Sequence, residues 1–407
     1  MAPPKAGYSN IFGRTEKFAA VSADEGQAAE AGRTILQEGG NATDAAVAMY
    51  FAMAVTLPSA AGLGASGVCI VHDAKTRAAE AFVFAPVAAP GPINGVSFTV
   101  PNAVRAMALM QIRHGQARWE LDLAPSEKMA SLGVPVSRAL ARDLAAGAAS
   151  LNDDARRVFA RNGTPLGQGD RLVQSDLATT LVAIRRGNGV DFFQGNFARR
   201  LSDQIAQLGG SLPVEALRNA VPKAVTPPSE SDGGYRVYAA PPPMAGASAL
   251  AGWKGEPAPA AATPTDSGGF SGLAAVDEKG NATACSLSMG RLFGTGLMAP
   301  GTGMLLGAPT ADSTAVSPVV IGNPNNGEFK FAGAGGGLPT ASYVTGAIAR
   351  AAVEGGLPVL SALARNAGRG GYVNALACPN GIRSGGATCQ AGADPAGLGA
   401  ALIATAQ

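Results

Sequence analysis

The sequence predicts a layered α+β fold in which helices cover a central antiparallel sheet. Helical patterns dominate the chain between residues 22 and 208. Short strand patterns then recur about every 10 residues between residues 272 and 332, a spacing typical of antiparallel strands joined by short turns. Two further helical patterns, at residues 343–354 and 359–365, follow the strands and would cover one face of the sheet.

Residues 22–57 predict two helices. Asp24 and Glu25 begin the first, because acidic side chains favour the positive end of a helix dipole, and Gly39 follows it as a C-cap glycine. Asn41 begins the second, which is apolar on nearly every side and is therefore expected to be buried. Four more helices are expected in an outer layer, with their charges in solvent, at residues 102–113, 138–159, 174–186 and 197–208.

Residues 62–67 read GLGASG and fit the pattern G-x-G-x-x-G. A dinucleotide site needs a strand before the glycines and a helix after them, whereas here a helix precedes them and the strand at residues 68–73 follows. We therefore expect these glycines to let the backbone pass close to a neighbour, and no nucleotide cofactor.

A strand at residues 235–239 is followed by a proline turn at residues 241–243 and by an extended Ala/Pro-rich segment after Trp253. The strands of the second half are predicted at residues 272–276, 282–289, 304–306, 319–321 and 328–332.

Composition limits the function. The 407 residues are 47% hydrophobic, enough for one large core. With 31 basic and 29 acidic residues, the chain has no excess charge suited to nucleic acid or to a membrane surface. The longest apolar run, residues 45–57, falls short of the roughly 18 residues of a transmembrane helix. The N-terminus lacks a signal-peptide pattern, so the protein is expected to be cytosolic or to have lost a leader.

The four cysteines leave two possibilities open. Cys378 and Cys389 bracket a Gly/Asn-rich loop and could close a local disulfide, while Cys69 and Cys285 lie in apolar, strand-like runs. Alternatively, all four are reduced thiols of a cytosolic protein. The spacing fits no metal site, and we expect neither a metal nor another cofactor.

A nucleophile is predicted at the end of the Ala/Pro-rich segment. With His72 and His114 as the two histidines, neither near a candidate nucleophile in sequence, a Ser-His-Asp triad is weakly supported. A hydroxyl can instead be activated by its own α-amino group once the chain is cut before it. Ser271 and Ser267 both stand where a flexible segment meets a strand, although both could also be ordinary serines.

Several segments together resemble the γ-glutamyltranspeptidases. They are GNATDAAVA (40–48), LPSAAGLGASG (57–67), QSDLATTL (174–181), PPP (241–243) and FGTGLMAPGTGMLL (293–306). The resemblance implies an αββα sandwich of the N-terminal nucleophile hydrolase type, made as one chain and cut into two subunits. It also implies transfer or hydrolysis of γ-glutamyl groups of glutathione and related amides, in the periplasm or outside the cell.

The same resemblance divides the chain into three parts of one composite domain. Residues 1–253 correspond to the large subunit, residues 254–270 to a linker and residues 271–407 to the small subunit. The family has a long helical region where this linker stands, so part of the large subunit is missing here.

The family's site residues match this sequence in part. Counting back from Asp277, the strict register puts Phe270 at the catalytic threonine, and Ser271 fits only after a shift of one residue. The resemblance assigns Ser288 as a hydroxyl supporting the nucleophile and Asp312 as the partner of the substrate's α-amino group. It also assigns two N–H groups that stabilise the oxyanion, those of Gly336 and Gly337.

Other family positions differ. Gly290 replaces a substrate-binding asparagine, and Thr314-Ala315 replaces a serine pair. The arginine that binds the substrate's carboxylate is missing from AFVFAP (81–86), unless Arg105 or Arg291 substitutes for it.

Two hypotheses follow. In the first, the protein has a degenerate site, lacks normal γ-glutamyl transfer and serves as a binding or structural subunit of a larger assembly. In the second, it is an active amidohydrolase that uses Ser271 after self-cleavage. Normal transferase activity would require a substitute arginine.

Overall fold

Two antiparallel sheets stack face to face at the centre of the computed structural model, which describes residues 17–258, 268–338, 340–367, 371–384 and 388–404. Within these residues the first sheet has seven strands. In spatial order they are β19 (Ala400–Ile403), β1 (Ala20–Ala23), β11 (Phe270–Val276), β12 (Ala282–Ser288), β2 (Ser66–Asp73), β3 (Ala78–Phe84) and β8 (Lys223–Val225).

The second sheet has six strands in the described part of the chain, and neighbouring strands within it also run antiparallel. In spatial order they are β18 (Gln390–Ala393), β17 (Tyr372–Ala377), β16 (Phe329–Gly336), β15 (Val319–Gly322), β10 (Tyr235–Ala239) and β9 (Ser229–Asp232). Short two-stranded ribbons complete the strands: β4 (Val134–Pro135) with β7 (Arg171–Leu172), β5 (Ala160–Arg161) with β6 (Thr164–Pro165), and β13 (Met298–Ala299) with β14 (Met304–Leu305).

Helices pack around the two sheets in the described part of the chain. They are α1 (Gly26–Gln37), α2 (Ala42–Thr56), α3 (Pro58–Ala61), α4 (Ala103–His114), α5 (Trp119–Leu132), α6 (Arg138–Gly147), α7 (Asp153–Phe159), α8 (Ser175–Arg186), α9 (Val190–Gln194), α10 (Asn196–Gln207), α11 (Val214–Asn219), α12 (Gly246–Lys254), α13 (Ala341–Val353) and α14 (Val359–Asn366). Helices α1, α2, α4 and α5 share a core with the first sheet, and α12, α13 and α14 share one with the second. The order of layers is helix, sheet, sheet, helix, so the predicted αββα sandwich is confirmed.

Helix α2 is the central element of the first helical layer. Asn41 caps it by accepting the N–H groups of Thr43 and Asp44, and the Asp44 side chain accepts the Asn41 N–H in return. Every residue of the helix is buried, as predicted from its apolar composition.

Glycines let two segments approach each other closely, as predicted for residues 62–67. A Cβ on Gly64 would clash with the carbonyl oxygen of Leu305, and one on Gly67 would clash with that of Ser286. The loop therefore joins a helix to a strand by tight packing.

The prediction of helices in the first half and strands in the second was incomplete. Strands β1 and β3 were missed, and they join β2, β11 and β12 in one sheet. Helix α5, which contains Pro125, was also missed, and the helix predicted at residues 138–159 is broken into α6 and α7. Strands β17 to β19 follow the helix pair that was expected to end the fold.

Two disulfides connect the described cysteines. Cys378 and Cys389 form the predicted local bridge. Cys69 and Cys285, which face each other on β2 and β12, form a second bridge that was not predicted. The described cysteines are therefore all bonded, and the alternative of four reduced thiols is wrong for this structure.

The predicted linker lies largely outside the described residues. Helix α12 ends at Lys254, and residues 259–267, which include the candidate Ser267, are not described. Strand β11 begins at Phe270, before the predicted start at residue 272. The division into subunit-like regions stays a prediction, although strands from both regions share each sheet.

Candidate functional site

Ser271 is the second residue of β11 and is fully buried. Its hydroxyl donates to the carboxylate of Asp24 (3.0 Å) and lies 3.8 Å from the sulfur of Met53 on α2. Leu287, its partner on β12, belongs to the core between the first sheet and its helices. The Ser271 side chain is therefore directed toward the helical side of the sheet.

Asp24 follows β1 and ties the two sheets together. Its carboxylate accepts from the N–H of Gly272 (2.8 Å) and from the side-chain amide of Asn374 on β17 (2.6 Å), besides Ser271. Burial raises the pKa of Asp24 to about 7, although these hydrogen bonds and the charge of Arg142 oppose the shift. The carboxyl group is thus available both as an acid and as a base near neutral pH.

Phe270 is the residue that the sequence resemblance aligns with the family's nucleophile in the strict register. Its ring is 1% exposed and packs in a cluster of apolar residues that includes Val68, Val83, Met244 and Val316. Val68 and Val83 belong to the first sheet, while Met244 and Val316 lie in segments next to β10 and β15 of the second sheet. Because neighbouring residues of a strand point to opposite faces, the ring lies on the opposite face of β11 from Ser271.

Ser288 lies directly across from Phe270, on the end of β12. Its hydroxyl oxygen accepts the N–H of Gly290 (2.9 Å), and a Cβ on Gly290 would clash with the carbonyl oxygen of Ala308. The position that the family gives to an asparagine therefore admits no side chain in this backbone. Ser288 and Ser271 belong to neighbouring strands but face opposite sides of the sheet.

Asp312 lies in a short 3₁₀ turn, Ala311–Thr314, next to Ser313. The Ser313 hydroxyl donates to the carbonyl of Ala308, in the same corner that Gly290 occupies. The turn is therefore close to Ser288, and the Asp312 side chain is half-buried there.

Gly336 and Gly337 follow each other at the end of β16, beside Ser271. A Cβ on Gly336 would lie 2.5 Å from the Asp24 carboxylate and 2.9 Å from the Cα of Ser271. Gly337 has a φ of +83°, and its N–H donates to the carbonyl oxygen of Phe270 (3.0 Å). The structure thus brings the predicted glycine pair, Ser271 and Phe270 into one neighbourhood.

A cavity of about 430 Å³ opens beside Gly337, and its lining includes Arg142, Asp143 and Tyr372. The guanidinium of Arg142 donates to Asp143 (3.0 Å) and lies 5.8 Å from the ring centre of Tyr372. Asp143 also accepts from the Ser59 hydroxyl (2.6 Å). Burial first, and then the charge of Asp24, raise the pKa of Tyr372, so its hydroxyl stays neutral.

Sequence reasoning missed Asp24, Asn374, Arg142 and Tyr372 as members of this site. They come from three distant parts of the chain: Asp24 after β1, Arg142 on α6, and Tyr372 and Asn374 on β17. The one available signal, an acid before a helix at Asp24, indicates only a helix start. Glu25 instead provides that cap, through its acceptor contact with the N–H of Ala28 (2.8 Å).

Arg105 and Arg291 were the two candidates to replace the family's carboxylate-binding arginine. Arg105 lies away from the candidate site, and Arg291 lies at its edge. Arg105 donates to the carbonyl of Arg218 in a separate groove on the helical layer. The Arg291 backbone packs against Gly269, just before β11, and its side chain is exposed. Arg142 is the arginine that lines the cavity beside Gly337.

Neither histidine joins the candidate site. His72 pairs with Ala282, at the end of β12 farthest from Ser288, and burial lowers its pKa. His114 contacts Glu80 (2.7 Å) at the end of α4. A triad that combines either histidine with Ser271 finds no support in this geometry.

In the ranges that the structure covers, no group of three or more His, Cys, Asp or Glu side chains is arranged to hold a metal ion. None of the helices in those ranges combines the length and the apolarity needed to cross a bilayer.

Comparison with known proteins supports the sequence resemblance. The model of the gamma-glutamyltranspeptidase family matches residues 28–254, more than half of the chain. A glutathione hydrolase proenzyme from Bacillus subtilis is 32% identical over 239 residues, which cover 54% of this chain and 41% of that protein. This chain covers only 41–42% of the length of three such bacterial proenzymes.

Two solved structures are similar to the fold. Cephalosporin acylase from Bacillus halodurans superposes with a TM-score of 0.77 over 99% of both chains at 20% identity, which shows a shared fold. Gamma-glutamyltranspeptidase from Helicobacter pylori gives a TM-score of 0.52 at 26% identity, over 62% of this chain and 75% of that one.

The four layers, with the candidate nucleophile region at the start of a central strand, define the fold class of the N-terminal nucleophile hydrolases. Within that class, the family match identifies the chain further. It belongs to the γ-glutamyltranspeptidase family.

Proposed function

We propose that this protein is an uncut member of its family that lacks normal γ-glutamyl transfer and serves as a binding or structural subunit of a larger assembly. The main observation behind this proposal is the burial of Phe270. An aromatic ring fills the position of the family's catalytic hydroxyl and packs between the two sheets. Such a side chain supplies packing energy but no nucleophile.

Two further departures support the same conclusion. Gly290 leaves no space for the family's asparagine, and Phe82 and Val83 are buried core residues in the segment that would carry its arginine. A carboxylate-binding arginine cannot be replaced by apolar side chains. Arg142 reaches the cavity from α6, but Asp143 already takes one of its donors.

Redox chemistry supports the location that we propose. Two disulfides persist in an oxidising compartment, so we place the protein in the periplasm or outside the cell. The partner is then another protein of that compartment. The cavity beside Gly337 would retain a small γ-glutamyl or amide ligand without converting it.

The test is the intact mass of the purified protein, combined with N-terminal sequencing and a glutathione hydrolysis assay. We expect a single chain of about 40.4 kDa, no new N-terminus at residues 267–271 and no release of glutamate. Two fragments with Ser271 at a new N-terminus would contradict the proposal.

Self-cleavage before Ser271, giving an active amidohydrolase, is the second candidate, and one contact favours it. The N–H of Gly337 donates to the carbonyl oxygen of Phe270, the group that the Ser271 hydroxyl would attack. The oxygen of Ser271 would bond to that carbonyl carbon while its proton passes to Asp24. The bond between Phe270 and the Ser271 nitrogen then breaks, and the nitrogen takes a proton.

Water would next hydrolyse the resulting ester to the carboxylate of Phe270 and the free hydroxyl of Ser271. The freed α-amino group could then act as the base for an amide substrate. The residues that would act in this candidate function are Ser271, Ser288, Gly336 and Gly337, with Asp312 binding the substrate.

The two candidates differ in one experiment. Under the second candidate, the wild type would be cut and Ser271→Ala would stay whole, while the control Ser267→Ala would be cut like the wild type. The rate of cutting would rise as the pH increases through about 7, because Asp24 must be ionised to accept the proton. Under the first candidate, all three proteins stay whole at every pH.

A further inference from the structure

A second cavity lies at the other end of the first sheet from the candidate site. Its volume is about 490 Å³, and its lining includes Asp73, at the end of β2, and Lys279, in the turn between β11 and β12. Strand β12 leads from Ala282, near this turn, to Ser288, which pairs with Phe270. At about 3.4 Å for each residue, the two ends are roughly 20 Å apart. The cavity is therefore separate from the one that Arg142 lines.

Basic side chains from four separate parts of the chain line this cavity. They are Lys75, Arg113, Lys279 and Arg383, and we call the space they enclose the basic cavity. Among the described lining residues, Asp73 carries the one carboxylate, so four positive charges less one negative leave +3. The whole chain has a formal net charge of only +2, which means that positive charge is concentrated here.

The nearby acids neutralise this charge only in part. Glu80 pairs with both Arg113 (2.7 Å) and His114 (2.7 Å), so the charge of Arg113 is compensated. One oxygen of Asp73 accepts the backbone N–H groups of Lys75 and Thr76. That carboxylate is therefore held within its own turn.

Two of the cations have uncharged partners. The ammonium of Lys279 donates to the side-chain carbonyl of Gln116 (3.1 Å), and the guanidinium of Arg383 donates to the main-chain carbonyl of Asn326 (3.3 Å). Glu328 accepts the backbone N–H of Arg383 and lies close to that residue. A cation bound to a neutral oxygen keeps its charge available for an anion.

We propose that the basic cavity binds a small anion that carries two or more negative charges on phosphate or carboxylate groups. Arginine and lysine are the side chains that recognise these groups. The volume lies within the range of about 300–1,000 Å³ that is usual for small-molecule sites. Because the cavity is remote from Ser271 and Phe270, the proposal does not depend on whether the protein is cut.

Calorimetric titration of the whole protein with pyrophosphate, and separately with citrate, tests the proposal at low salt. We expect saturable binding of at least one anion, weakened by added sodium chloride. The double variant Lys279→Gln/Arg383→Gln should bind more weakly by about tenfold for each charge removed. Binding of pyrophosphate alone would identify a phosphate ligand, and binding of citrate alone a carboxylate ligand.

The control variant is Lys128→Gln, which removes an exposed lysine of α5 that does not line the basic cavity. It should bind like the wild type, and unfolding temperatures without ligand should show that all variants are folded. The proposal is overturned if neither anion binds saturably to the wild type. It is also overturned if the double variant and the control bind alike.

Discussion

Asp122 provides a test of the electrostatics of this fold, because its carboxyl group is buried without a partner. It lies in the first turn of α5 with a relative exposure of 0%, and neither of its carboxyl oxygens has a hydrogen-bond partner in the described structure. Burial, and next the negative charge of Asp44, raise the pKa of Asp122 to about 9. The folded protein therefore holds a neutral acid there at pH 7.

The sign of the pH effect follows from proton release. The unfolded chain ionises this acid near its ordinary pKa of 3.8, whereas the folded chain keeps the proton up to about pH 9. Between these values unfolding releases a proton, so the free energy of unfolding falls by about 1.4 kcal/mol for each pH unit. Asp122→Asn removes that ionisable proton, so its free energy of unfolding should not show this fall. Relative to the wild type, the stability of the variant should therefore increase by up to about 4 kcal/mol between about pH 5 and about pH 8.

This figure is an upper limit, since water that enters the site would reduce the pKa shift. The assay is denaturant unfolding of both proteins at several pH values under non-reducing conditions. Asp203→Asn, on the exposed side of α10, controls for replacing an acid by an amide. A stability difference between Asp122→Asn and the wild type that stays constant with pH would refute the reasoning.

Three other substitutions test the neighbourhood of β11, each by denaturant unfolding. Phe270→Ala should lower the free energy of unfolding by about 3–5 kcal/mol, and Phe270→Leu by much less, because the ring is buried among apolar side chains. Equal small losses in both variants would show that the ring does not fill the core. Gly337→Ala should lose at least about 1–2 kcal/mol, since its φ is +83° and its Cβ would lie 2.5 Å from the Tyr372 ring; unchanged stability would contradict this backbone. Cys69→Ala/Cys285→Ala should lose about 2–4 kcal/mol through the missing bridge, and a variant as stable as the oxidised wild type would argue against the disulfide.

Local patterns predicted the elements that depend on local chemistry. Helix α2 could be predicted because its apolar run follows an Asn-x-x-Asp cap, and β10 because its strand pattern stops at a proline turn. Strands β1 and β3 could not, because β1 reads AVSA and β3 begins with two alanines and a glutamate. Both depend on pairing with distant segments, and such pairing leaves no mark on the local sequence.

The residues of the candidate site could be predicted only at positions that match the family's sequence pattern. Asp24 and Asn374 are separated by 350 positions and meet because β1 and β17 lie in facing sheets. The bridge between Cys69 and Cys285 spans 216 positions and was missed for the same reason. Contacts of this kind follow from sheet order, which no spacing in the sequence encodes.

Some residues that the resemblance assigns to the site also have contacts that stabilise the fold, whereas the positions that differ from the family pattern do not need polar side chains for folding. The Ser271 hydroxyl donates to Asp24, and the Ser288 hydroxyl accepts the backbone N–H of Gly290. Gly336 lies so close to Ser271 that no side chain would fit there. Each of these three residues therefore has a structural reason to be there, whether or not the protein is an enzyme.

The altered positions have no such reason to be polar. A threonine at residue 270 and an arginine at residue 82 would each place a polar group among apolar side chains, where it would need a partner to offset its burial. Phe270 and Phe82 instead contribute packing. This division between residues that the fold needs and positions that only the chemistry would need is the reason why we propose an uncut subunit rather than an amidohydrolase.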